Sequence, residues 1–412
     1  MSAGSGTRSV RAWCLYDWGN SAFAAVCMTA VLPPYLSKLA NVELGAPAGT
    51  AVWGWTAALG LLAGVLLSPP LGALADARGW RRRMLVTFAA LGAGGTVLLA
   101  AALPASWRWG AALYIVAATG FATANVFYDA LLPGLAAPSR WDSISARGYA
   151  YGYAGGGLVL AAGAALIFAR GERAIPWVFV IVGVWWVVFT IPVVAAVPEP
   201  GPVGGVGMLA RLKRTARDAR ARPMLWRFLL AYWIFNDGIG TVIKMAAAYG
   251  AELGIPLGHM LGALLLTQAV GIPATLAFGR LGERAGAKRG IQIALAGYVA
   301  ITLLALVLSR PWHFWLLAGS VGVVQGGAQA LSRSLYARLV PAGREAEFFS
   351  FFDVSGRMAG VAGPAIFALA TTWLGSGRAG VAAVLVFFIG GWLLLAGVRV
   401  TGDSHDHVKV AI

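Results

Sequence analysis

A carboxylate inside a long apolar run is costly in hydrocarbon, by about 2.5–3.5 kcal/mol on insertion scales, so one that persists usually faces a cavity or a partner. Asp237 is such a residue, well inside the run 224–250 and preceded by Asn236. A carboxylate there can hold a proton or bind a solute. A second cluster, Tyr16, Asp17, Trp18 and Asn20, surrounds another acid with aromatic and amide groups. Asp17 reads equally as a site for a zwitterion or proton and as a structural brace between helices. Gln325, Gln329, Ser332 and Arg333 recur at helical spacing, placing an uncharged polar stripe and one cation on roughly one face. Asn125 and Asp129 stand one helical turn apart on another segment. For Asp129 a gating brace is favoured over solute contact, with Arg81 to Arg83 or Asp353 as possible partners for it and Arg333. Lys244, two turns beyond Asp237, either joins that face or snorkels to the surface.

The elements that must carry these groups follow from composition. Hydrophobic residues make up 59% of the 412 positions and charged residues 12%, about half the charge of ordinary soluble domains. A spanning helix needs roughly 20 apolar residues, and runs of that length recur from end to end. They predict spans near 12–37, 50–75, 83–104, 109–135, 145–169 and 174–197, then 224–250, 256–281, 290–309, 312–340, 348–374 and 378–399. The expected fold class is an all-α membrane protein with twelve transmembrane helices in two six-helix halves. The first run is too long for a signal-peptide core and reads as a permanent helix.

The net charge of +16 is explained by topology without nucleic acid. With the N-terminus inside, 25 of the 32 Lys and Arg residues fall on the cytoplasmic side, leaving Lys38, Arg108, Arg170, Arg173, Lys244, Arg310 and Arg378 opposite. That asymmetry predicts a multi-pass protein of the cell (inner) membrane with both termini cytoplasmic. Cys14 and Cys27 lie about 20 Å apart on one helix and cannot pair. His405 and His407 read as a solvated tail, so no metal and no cofactor are assigned. No G-x-x-x-x-G-K-[ST] phosphate loop is present. Nor is there a nucleophile–base or metal cluster to suggest an enzyme.

The two halves repeat. Gly72, Leu74, Asp76 and Gly79 after the second run match Gly279, Leu281, Glu283 and Gly286 after the eighth. Tyr128, Leu131 and Pro133 match Tyr336, Leu339 and Pro341, and Gly148, Gly152 and Gly155 match Gly356, Gly360 and Gly363, with the offset shifted by a single residue. Expected domains are residues 1–197, a basic linker 198–222 and residues 223–412. The linker contains Arg211, Lys213, Arg214, Arg217, Arg220 and Arg222; it suits anionic lipid or serves as a plain tether. Gly148, Gly152 and Gly156 form a close-packing face. Trp13, Trp18, Trp107, Trp109 and Trp312 read as interface anchors.

The two G-x-L-x-acid-x-x-G loops resemble the loop signature of the major facilitator superfamily. That resemblance implies a gating role for Gly72, Asp76, Gly79, Arg81, Gly279, Glu283 and Gly286, the acid bracing helices of the opposite half in one conformation. Ala77 and Trp80 stand where the pattern has basic residues, and Arg81 to Arg83 are the available substitutes. A narrower resemblance is carried by Leu15-Tyr-Asp-Trp-Gly-Asn-Ser-Ala-Phe23, Phe127-Tyr-Asp-Ala-Leu-Leu-Pro133, Asn236-Asp-Gly238 and Gln329-Ala-Leu-Ser-Arg-Ser334. These segments are similar to the bacterial "unknown major facilitator" proteins and to the autophagy-linked vacuolar amino-acid effluxers. The resemblance implies secondary transport of a small solute by alternating access, with neutral amino acids moved outward and protons as coupling ion among the expectations. A lipid or amphiphile flippase and a drug or metabolite exporter are the alternatives on the same fold.

Overall fold

The computed structural model describes residues 3–45, 48–202, 217–218, 221–252, 257–307, 311–359, 362–374 and 377–399. Linker residues Arg211, Lys213, Arg214 and Arg220, the tail histidines His405 and His407, and the side chain of Lys244 lie outside what is described.

All regular structure among the described residues is helical. The first half contains α1 (Ala3–Ala22), continued by a π-helical stretch (Phe23–Ala30), then α2 (Leu32–Leu44), α3 (Ala48–Arg78), α4 (Arg81–Ala105), α5 (Trp107–Leu135), α6 (Trp141–Arg170) and α7 (Ile175–Ala196). The second contains α8 (Pro223–Glu252), α9 (Leu257–Ala285), α10 (Ala287–Leu306), α11 (Pro311–Leu339), α12 (Glu345–Met358), α13 (Ala362–Leu374) and α14 (Gly377–Ala396). In hydrocarbon every backbone polar group must be paired within the chain, and helices do this locally. The lipid side is apolar without restraint: Leu66, Phe168 and Val386 are 64%, 82% and 70% exposed, which would be an aggregation liability in water.

Two expected spans are interrupted. The first is bent by 42° between its parts, where the π-helical stretch meets Pro33 and Pro34 at the start of α2. Proline lacks the amide that would continue the ladder and is a standard cause of such kinks. The run 348–374 is likewise two helices, α12 and α13, and Ala359 leaves α12 in an extended conformation. Counting each interrupted pair once, the described helices form twelve spans in two six-helix bundles. Between the bundles α3 packs on α12, α6 on α9, α6 on α11 and α5 on α12.

The two signature loops have the same turn. Gly79 and Gly286 adopt φ of 68° and 86°, a region that costs other L-residues roughly 1–2 kcal/mol. Each lets the chain reverse directly into the next helix. We call the side bearing these turns the signature face.

Candidate functional site

A cavity of about 940 Å³ lies between the bundles. Its polar lining comes from Asp17 and Asn20 on α1, Asn125 and Asp129 on α5, Tyr149 and Tyr153 on α6, Asn236 on α8, Gln325, Gln329 and Arg333 on α11, and Asp353 and Arg357 on α12. Met28, Leu61, Phe121, Leu160, Phe314 and Leu317 supply apolar wall.

The ionic end of this chamber is built around Arg333. Its Nη1 donates to Asp129 Oδ1 at 2.9 Å, its Nε to Ser145 Oγ at 2.8 Å and its Nη2 to the Ser145 carbonyl at 2.9 Å. The guanidinium carbon lies 4.7, 5.2 and 4.5 Å from the ring centres of Trp13, Tyr128 and Tyr149, contacts that favour a cation. Asp17 Oδ2 is 4.0 Å from Arg333 and accepts from Tyr128 Oη at 3.1 Å. Asn20 donates to Asn125 at 2.7 Å. Arg357 pairs with Asp353 one turn back, at 2.6 and 2.8 Å.

Between this chamber and the signature face the bundles are latched together. Asp142 of α6 receives Arg338 of α11 at 2.7 and 2.9 Å, and Ser145 Oγ donates to the Ala330 carbonyl at 2.7 Å. Asp76 of α3 accepts the backbone amides of Ala346 and Glu347, at 3.3 and 2.9 Å, in the buried first turn of α12. A carboxylate is favoured there by the helix dipole and by the unpaired amides. Arg81 binds Asp76 at 2.5 Å and also pairs with Glu345. Gly72 permits this docking, because a Cβ would meet the Ala346 backbone. On the loop beyond α11, burial lowers the Arg344 guanidinium, and hydrogen bonds to Glu347 and Asp218 carry it above its ordinary value.

Several expected residues sit elsewhere. Asp237 is absent from the cavity lining and 1% exposed. Its carboxylate accepts the amides of Ala362 and Gly363, at 3.2 and 3.0 Å, so it caps the first turn of α13. Depth in the span is thus explained by a helix end. Tyr16 is fully buried against Tyr128, off the cavity. Ser332 turns back to its own helix, donating to the Ala328 carbonyl. Glu283 is exposed and makes none of the bonds that Asp76 makes. Arg82 and Arg83 meet Glu199, not Asp129. Trp13 is fully buried and stacked on Tyr128, and Trp18 packs on Trp185 and Tyr151; neither anchors an interface. Trp109 and Trp312 are 69% and 57% exposed, as an anchor would be. Gly152 and Gly156 do pack closely, against Ser21, and both cysteines are free.

The pair Asp353–Arg357 and the serine at 145 were not singled out as site residues. The i, i+4 acid–base spacing inside an apolar run was the available signal for the first; Ser145 carried none.

The chain matches the family described as "Vacuole effluxer Atg22 like" over residues 48–406. It is 35% identical to the uncharacterised MFS-type transporter YxiO of Bacillus subtilis (strain 168), covering 95% of this chain and 94% of that one. It is 25% identical to autophagy-related protein 22 of Coccidioides immitis (strain RS), covering 93% and 79% of the two chains. Among solved structures it resembles the human organic anion transporter MFSD10 (TETRAN), with a TM-score of 0.75, 17% identity, and coverage of 95% and 99%, a likeness of fold. Helix order, paired bundles and duplicated signature loops agree with these matches, and the chain belongs to the Atg22-like vacuole effluxer family of the major facilitator superfamily.

Proposed function

We propose that this protein is a secondary transporter that moves a small polar solute by alternating access through the cavity between its bundles. Neutral amino acids moved outward are the first substrate class to test, and protons the first coupling ion. One observation carries this reading: Arg333 of one bundle is bound by Asp129 of the other where the chamber meets the latched side. A permanent structural bundle has no need of a cavity of this size lined by the same ionic groups that tie its halves together. Transporters of this architecture work by rocking two repeats about a midplane site, and the cross-bundle bonds of Asp76 and Asp142 are of the kind that such rocking must break.

The basic-residue asymmetry supports a cell-membrane protein with both termini in the cytoplasm. The signature face is then cytoplasmic, and the closed latch corresponds to an outward-facing state. The halves 1–197 and 223–412, joined by the linker 198–222, are the moving bodies in this reading.

The test is counterflow in proteoliposomes. Vesicles loaded with an unlabelled amino acid should draw in labelled amino acid with saturable, trans-stimulated kinetics. Flux linear in concentration without trans-stimulation would indicate a channel instead. Lipid movement without aqueous solute exchange would indicate a flippase.

A further inference from the structure

We infer that the solute carries a protonated amine on an apolar body and that Asp17 is the carboxylate that receives it; this rests on the transport reading above. The argument begins with charge. Among the described residues, the charged side chains lining the cavity are Asp17, Asp129, Asp353, Arg333 and Arg357. Two acids have a close basic partner: Asp129 with Arg333 at 2.9 Å, and Asp353 with Arg357 at 2.6 Å. Asp17 has none at hydrogen-bond distance. Arg333 is 4.0 Å away, and its hydrogen bonds at shorter range go to Asp129 and Ser145. The direct partners of Asp17 are two neutral hydroxyls, Tyr128 at 3.1 Å and Ser21 at 3.3 Å.

Among the described residues, the chamber therefore holds one carboxylate more than its guanidiniums neutralise. A low-dielectric wall concentrates such a charge and raises the local concentration of cations. The surroundings suit an ammonium better than a metal ion. Asn20 commits its amide nitrogen to Asn125, which turns its carbonyl oxygen toward Ser21 beside Asp17. An ammonium with three donors can use the carboxylate and that carbonyl, while a hard divalent cation wants six or more oxygens. Tyr149, Tyr153, Phe121 and Leu160 also line the chamber and supply aromatic and apolar wall for a hydrocarbon body. Gly152 lets α6 close on this group, since a Cβ there would lie 2.6 Å from Ser21 Oγ and 3.2 Å from Asp17 Oδ1.

Three probes share one body and differ in the head group: L-phenylalanine, 2-phenylethylamine and 3-phenylpropanoate. Binding to the full-length protein in nanodiscs is read by tryptophan fluorescence, and exchange by counterflow in proteoliposomes. The expected result is binding of the two amines and none of the carboxylate alone. Asp17→Asn should weaken amine binding about 10- to 100-fold, the loss of one charge-assisted hydrogen bond. Asp17→Glu, which keeps the charge, should restore most of it; that rescue separates a binding role from a folding defect. Equal binding of 3-phenylpropanoate, an unchanged amine preference in Asp17→Asn, or no amine binding by a protein that exchanges other solutes would overturn this inference and leave the transport reading standing. Absence of saturable exchange for every solute tried would overturn that reading and this inference with it.

Discussion

Arg333 and Asp129 meet at 2.9 Å across the two bundles although 204 residues separate them in the chain. The side chains are 3% and 19% exposed, so neither charge is well hydrated. In such a setting the pair gives little net stability relative to apolar packing, but removing one partner strands the other at a cost of about 3–5 kcal/mol. That asymmetry suits a bond that must open and close without either ion being abandoned: when the bundles separate, water enters and rehydrates both.

Asp129→Asn and Arg333→Ala should therefore each impair folding and turnover, and the double variant should be less impaired than the sum. A double-mutant cycle on the thermal midpoint in nanodiscs measures this. Coupling of about 1 kcal/mol or more is expected for groups in one network. Additive losses would show that the two side chains do not act on each other.

Asp76 gives the second prediction. It satisfies two amides at the start of α12 while holding Arg81, which in turn pairs with Glu345. None of these groups lines the cavity. Asp76→Asn should slow turnover about tenfold, equivalent to 1.4 kcal/mol and within the range for a buried charge at a helix N-terminus, while solute affinity changes less than about twofold. Initial counterflow rates and equilibrium binding check the two halves of this statement. Altered affinity at unchanged turnover would contradict it.

What the sequence made legible divides along physical lines. Spans are local, so hydropathy placed most helices to within a few residues. The π-helical stretch and the break at Ala359 are not, because apolar composition is the same in a straight helix and a broken one. Asp237 is the instance: depth in hydrocarbon announces that a carboxylate has a partner, and only the geometry shows that helix amides are among its partners. Arg333 and Asp129 were each recognisable as unusual, but nothing in the chain said they meet. Trp13 and Trp18 were misplaced because tryptophan near a span end is equally suited to a lipid interface and to a helix crossing.

The reassignment of Asp237 is itself testable. Asp237→Ala removes both acceptors from the first turn of α13, and loss of an N-cap costs about 0.5–2 kcal/mol. A drop in thermal midpoint with solute affinity held within about threefold, under the 1–3 kcal/mol cost of a lost contact, is expected. Gly363→Ala should destabilise the same junction of α8 and α13, since its Cβ would lie 1.8 Å from Thr241 Oγ1 and 2.8 Å from Asp237 Oδ1. A large loss of affinity in Asp237→Ala with an unchanged midpoint would return Asp237 to the solute site.

The two signature loops share their glycines and their acid, yet the structure uses them unequally. Asp76 is 1% exposed and bound to α12, whereas Glu283 is exposed, and on its side of the latch Asp142 takes the role of bonding across the bundles through Arg338 and Ser334. Gly279 still packs closely on α6, near Ser143 and Ala146, as Gly72 does on α12. Only the acid has been relieved of its task. An exposed side chain away from such contacts changes stability by within about 0.5 kcal/mol when replaced, so Glu283→Gln should keep turnover within about twofold. Asp142→Asn breaks a buried bidentate pair and should slow turnover at least as much as Asp76→Asn. Counterflow rates of the three variants, measured side by side, decide it: equal losses from Glu283→Gln and Asp76→Asn would mean that Glu283 engages in the other half of the cycle, when the latch is open.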